Sequence, residues 1–162
     1  MHRFILMTSK SVFSLAGVFL FFSLAAAAPL TTGESLPELS LPDQHGDGHT
    51  LRNCNTILFA PDKGAAELAH EVLNPIGKVA MAAKGIVFIS DISGMPTFVL
   101  RMFALPAMRD YPYLVLLGYE KEDTAIFPGQ KGRVTVLHIK AGRVSGIEYA
   151  NSSEVLAGII GI

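Results

Sequence analysis

One cysteine, five histidines and a scatter of methionines carry whatever covalent or metal chemistry this chain has. Cys54 stands between Asn53 and Asn55. A thiol becomes a nucleophile or redox centre as the thiolate, which requires exposure and a lowered pKa, normally at a helix start or beside a cation. Arg52 is the one cation nearby, and the residues that follow read as a strand. Cys54 is therefore read as a part-buried structural thiol, with one-cysteine redox catalysis as the alternative.

The stretch Asp43-Gln44-His45-Gly46-Asp47-Gly48-His49 supplies His45, Asp47 and His49 as candidate metal ligands. Histidines at i and i+4 share a face when they lie on a helix. Gly46 and Gly48 argue for a turn, so a solvated hairpin loop is the competing reading. His70 falls on a helix, facing solvent or a helix end, and His138 within a strand, where a histidine is more often hydrogen-bonded than basic. Met81, Met95, Met102 and Met108 could hold Cu(I) through their thioethers. Their neighbours Phe98, Leu100 and Phe103 favour core packing, since methionine fills irregular gaps. Arg101 and Arg109 are eight residues apart, so a continued helix brings them to a common side, where they could grip an anionic ligand or a partner. Asp110 offers Arg109 a plain surface pairing instead. No Gly-x-Gly-x-x-Gly, Walker or Gly-x-Ser-x-Gly pattern occurs, and no cofactor is expected.

The elements that must position these residues begin after a targeting segment. Arg3 and Lys10 precede the uncharged, apolar run Ser11 to Ala28, which ends in four alanines. That is the composition of a signal peptide, residues 1–27, cut near Ala25–Ala28; an uncleaved anchor is the rival reading. Residues 28–38, rich in Pro, Thr, Gly and Ser, read as a linker, and 39–162 as one domain. Without the signal, Arg3 and Lys10 leave the basic total and the net charge becomes −3. No basic block remains, which argues against nucleic acid and against any membrane contact except through an uncleaved signal.

Leu36, Leu39 and Leu41, then His49 to Leu51, flank the Gly-rich turn as a short hairpin. Ile57 to Ala60 form an all-apolar strand, followed by Asp62 as an N-cap and by Ala65, Ala66, Leu68, Ala69, Val72 and Leu73 at helical spacing. A helical turn over Lys78–Lys84 leads to the strand "IVFIS". Phe98, Met102 and Leu105 then predict the apolar face of a helix broken near Pro106. "YLVLLGY" is a third strand, "VTVLHIK" and "GRVSGIEY" pair around Ala141-Gly142, and a helix capped by Asn151 or Ser152 closes the chain. The order predicts an α/β sandwich with a mixed central sheet, an N-terminal β-hairpin extension and flanking helices.

This pattern resembles the thioredoxin-like superfamily in its peroxiredoxin and thiol-reductase style, over about residues 34–161. "GESLPELSLPDQHGDGHTL" resembles the entry hairpin of those families and "KGRVTVLHIKAGRVSGI" their last two strands. "SDISGMPTFVLRMFALPAMRDYPYLVLL" resembles small exported bacterial proteins of this fold. The resemblance implies a Cys-x-x-Cys at the start of the first core helix and a cis-proline before the penultimate strand. The matching positions are Asp62, Lys63, Gly64 and Ala65 for the dithiol and about Val134 for the proline. Both halves of that redox site are missing. The expectation is therefore an exported, redox-inactive binding or accessory module of the bacterial cell envelope, periplasmic or secreted, whose partner is a protein or a small ligand. The alternatives are a one-cysteine, peroxiredoxin-like enzyme using Cys54 and a carrier of metal or small ligand.

Overall fold

Ile57, Leu58, Phe59 and Ala60 are all buried in β3 (Thr56–Ala60), as an apolar strand covered on both faces must be. The computed structural model describes residues 28–162, so the expected signal peptide lies outside the described residues. β1 (Ser40–Pro42) and β2 (Gly48–Thr50) form the small antiparallel hairpin expected from the Gly-rich turn. β4 (Ile86–Asp91), β5 (Leu116–Gly118), β6 (Val134–Lys140) and β7 (Arg143–Ala150) join β3 in a sheet of order β5-β4-β3-β6-β7. β3, β4 and β5 run parallel, and β6 and β7 are antiparallel additions, so the sheet is mixed. Ala141 and Gly142 both take positive φ, 51° and 73°, as a tight two-residue hairpin turn demands.

The connections β3 to β4 and β4 to β5 step the same way along the sheet. Right-handed crossovers therefore place both intervening helical stretches on one face. That face carries α1 (Lys63–Leu73), α2 (Gly77–Lys84), the helical stretch before β5, and α6 (Ser153–Ile160). Leu58, Ala60, Phe88, Leu117, Val134 and Val136 point into it and meet Ala65, Ala69, Leu73 and Leu156. On the other face Ile57, Phe59, Ile89, Leu116 and Leu137 are covered by Leu30, Leu41, Leu51 and Phe127 from irregular chain and the hairpin. A short α5 (Lys121–Thr124) lies in the charged connection before β6. Among the described residues no helix is long and apolar enough to cross a membrane.

Two expectations are corrected. Residues 28–38 are not a free linker. Leu30 is buried and its N–H donates to Ile126 O at 2.8 Å, while Gly33 N–H and Glu34 O pair with Val144. Composition suggested a loop, yet the backbone groups of this segment find partners at the start of β7.

Nor does the helix break at Pro106. α3 (Thr97–Val99), a π-helical turn (Leu100–Ala104) and α4 (Leu105–Arg109) run on continuously, with Leu105 N–H bonded to Leu100 O. Pro106 sits in the first turn of α4, and the wider π turn accommodates it. The extra residue rotates the predicted face. Leu100 turns inward, and Phe98 (67 % exposed), Met102 (59 %) and Phe103 (62 %) turn out. Met81 is buried in the core, Met95 and Met108 pack against it half-buried, and Met102 is exposed.

Candidate ligand-binding site

Asp62 is the N-cap of α1. Its Oδ1 accepts from Ala65 N–H at 3.0 Å, satisfying one of the helix's orphan donors. Its Oδ2 accepts from Gly132 N–H at 2.7 Å, in the loop that enters β6. Partial burial alone raises the Asp62 pKa. The N–H groups of Gly132, Ala65 and Gly64, with Lys131 nearby, outweigh it and hold the carboxyl below its ordinary value. A Cβ on Gly64 would come within 3.3 Å of the Asp62 carboxylate, so glycine suits this turn.

Beside this cap a cavity of about 680 Å³ opens between α1, the end of β4 and the π-helical stretch. Its floor is apolar, with Phe88, Ile92, Val115 and Met108, and Val99 and Ala104 come from the helical wall. Polar groups are few: Asp62, Lys63, Glu67 and His70 on the α1 side, Ser90, Asp91 and Ser93 at the strand end, and Lys121. The size is that of a small-molecule pocket. The carboxyl ends of parallel strands, where the cavity lies, are the usual ligand position in open α/β sheets. Asp91 is committed to the fold, since Oδ1 accepts from Ser93 N–H at 2.9 Å and Oδ2 from the Thr124 hydroxyl at 3.2 Å. Lys63 pairs with Glu67 at 2.8 Å.

His70 sits in the last turn of α1, at the helix end its sequence position suggested, and is half-buried. It lines the cavity, its ring lies 4.3 Å from that of Tyr111, and its Nδ1 is 2.7 Å from the Tyr113 hydroxyl. Tyr113 is fully buried behind it, and burial, with Tyr111 adjacent, pushes its phenol well above the ordinary value. The spacing within α1 put His70 on a helix. Only the crossover that brings Tyr111 and Tyr113 against α1 turns it into a cavity wall.

No protein-family model and no curated protein matches the sequence. Solved structures do match. A proposed protein disulfide isomerase of Bacteroides thetaiotaomicron aligns at TM-score 0.55 and 14% identity, covering 82% of this chain and 87% of its own. A proposed thiol:disulfide interchange protein DsbE of Chlorobium tepidum aligns at 0.54 and 16%, covering 80% and 94%. The peroxidoxin BcpB of Mycobacterium tuberculosis aligns at 0.53 and 16%, covering 82% and 95%.

The fold is thioredoxin-like.

In this thioredoxin-like chain the dithiol slot, Asp62 to Ala65, lies at the first turn of α1 and holds no sulfur. Every peptide bond among the described residues is trans, and Val134 is a buried first residue of β6. The thiol is elsewhere. Cys54 precedes β3, packs among Leu51, Ile57 and their neighbours on the face away from the helices, and burial pushes its pKa up. It is thus at the opposite end of β3 from Asp62.

The histidine loop is a structural knot. Buried Asp43 accepts from His45 N–H (2.8 Å) and Asp47 N–H (3.0 Å) and meets His49 Nε2 at 2.8 Å. Burial alone raises the Asp43 pKa, but these bonds, led by His49, bring it below its ordinary value. His45 and Asp47 are exposed, and among the described residues no cluster of three or more acidic, histidine or cysteine side chains is arranged to hold a metal.

Neither arginine lines the cavity. Arg109 Nε donates to Gln44 O at 3.2 Å, and Arg101 is exposed in the π turn, outside the cavity wall. His138 pairs with Glu148 at 2.8 Å across β6 and β7.

Sequence reasoning missed Gln44. This buried side chain donates from Nε2 to Tyr113 O (2.8 Å) and accepts at Oε1 from Val115 N–H (3.0 Å), clasping the hairpin to the irregular chain that enters β5. Its place within a Gly-rich loop gave no signal of this.

Proposed function

We propose that this is an exported thioredoxin-fold binding module of the bacterial cell envelope, acting on a ligand held in the cavity beside Asp62 and not through thiol–disulfide exchange. One observation carries the reading. The cavity occupies the end of β3 where the fold's dithiol chemistry would sit, and the chain's one thiol is buried on the other face at the other end. A buried thiol with a raised pKa is a poor nucleophile. Asp62, bonded to Gly132, cannot exchange disulfides. The apolar run before residue 28 supports export.

The test uses the mature chain from Ala28. Binding of the neutral apolar dye Nile red is measured beside insulin reduction and peroxide consumption. The expected result is saturable dye binding with no turnover. Ala107→Trp, placed on the exposed lip of the cavity, should abolish dye binding and leave the fold intact. Turnover that disappears in Cys54→Ser would overturn the reading in favour of a one-cysteine redox enzyme.

A further inference from the structure

We infer that the cavity selects a neutral apolar carbonyl compound (a ketone, quinone, ester or amide) and receives its oxygen on His70 Nε2–H. The inference rests on the cavity being the binding site.

The donor is fixed from behind. The Tyr113 hydroxyl is buried, and its proton must go to an acceptor. His70 Nδ1 lies 2.7 Å away and is the acceptor that fits, because Tyr113 is held in its protonated form. A neutral imidazole that accepts at Nδ1 carries its proton on Nε2. The ring therefore offers the cavity an N–H donor and no lone pair. The ring packs against that of Tyr111 at a tilt of 35°, and Tyr113 in turn is fixed through its backbone oxygen by Gln44. Hydrogen-bond acceptors on an otherwise apolar molecule match this donor.

Charge decides between acceptors. The charged groups on the cavity wall are Asp62, Glu67 and Asp91 against Lys63 and Lys121, and Lys63 is already paired with Glu67. Three carboxylates against two ammonium groups leave the cavity rim net negative, which disfavours a carboxylate ligand by like-charge repulsion. A neutral carbonyl oxygen takes the Nε2–H bond without that repulsion. The rest of the molecule lies against Phe88, Ile92, Val115 and Met108.

The test displaces Nile red from the mature protein with three molecules of equal chain length: undecanone, undecane and undecanoate. Undecanone should lose a few-fold to about tenfold in affinity on His70→Phe, the range of one neutral hydrogen bond, while undecane should not. His70→Gln, which keeps an N–H donor, should retain part of that affinity. Undecanone should also compete better than undecanoate at neutral pH. Nitrogen-15 spectra of the His70 ring should show the proton on Nε2, and Tyr113→Phe should let that tautomer mix.

An undecanone affinity that His70→Phe leaves unchanged would overturn the inference and leave the binding module standing. Tightest binding by undecanoate would overturn the charge argument and with it the inference. If Nile red does not bind the wild-type protein at all, the cavity reading itself falls. A spectrum with the proton on Nδ1 would remove the donor regardless of how any variant folds.

Discussion

Asp62 and Gly132 are seventy residues apart and joined by a 2.7 Å hydrogen bond, tying the first turn of α1 to the loop that enters β6. The resemblance implies a dithiol slot at Asp62 to Ala65 and a proline at about Val134, two residues beyond Gly132. Here a carboxylate and a backbone N–H join the first of these positions to the loop just before the second.

Removing that carboxylate should be felt in stability. Asp62→Ala is expected to cost about 1–2 kcal/mol, the usual range for a lost N-cap, measured by urea unfolding. The pH dependence has a definite sign. The Asp62 pKa is lowered in the fold, so its contribution is fully present above the unfolded value of about 3.9 and is lost as pH falls through the lower folded value. Asp62→Asn should therefore flatten the acid limb of the stability curve, and an unchanged limb would show that the Gly132 bond contributes nothing.

Cys54 should react slowly with a thiol probe in the folded protein and quickly in denaturant, because burial raises its pKa and blocks access. The rate should rise with pH later than for a free thiol of about 8.5. Rapid labelling of the folded chain near neutral pH would contradict the buried placement.

Gln44→Ala should be among the more damaging polar substitutions. It leaves Tyr113 O and Val115 N–H without their buried partner, at a cost of about 2–4 kcal/mol. Because Tyr113 holds His70, Nile red binding should weaken as well, and thermal unfolding followed alongside dye titration separates the two effects.

The π turn makes a paired prediction. Leu100→Ala, in the core, should cost about 2–5 kcal/mol, whereas Met102→Ser, on the outer face, should stay within about 0.5 kcal/mol of the wild type. A regular helix with the face Phe98, Met102 and Leu105 inward would reverse that order.

Much of this was written locally. The unbroken apolar run Ile57–Ala60, the N-cap at Asp62 with its helical periodicity, and the Ala141-Gly142 turn each depend on neighbours a few residues away, so the sequence by itself determined the succession of strands and helices along the chain, the first helix and the closing hairpin. It also determined that no dithiol is possible, because one cysteine cannot make one. What the tertiary structure decided is everything that joins distant positions. His70 and Tyr113, Gln44 and Val115, and Asp62 and Gly132 meet because right-handed crossovers stack α1 against the chain entering β5 and bring the β6 loop to the helix start. The one-residue rotation at the π turn was likewise hidden, since periodicity assumes a constant number of residues per turn and the packing around Pro106 does not keep it.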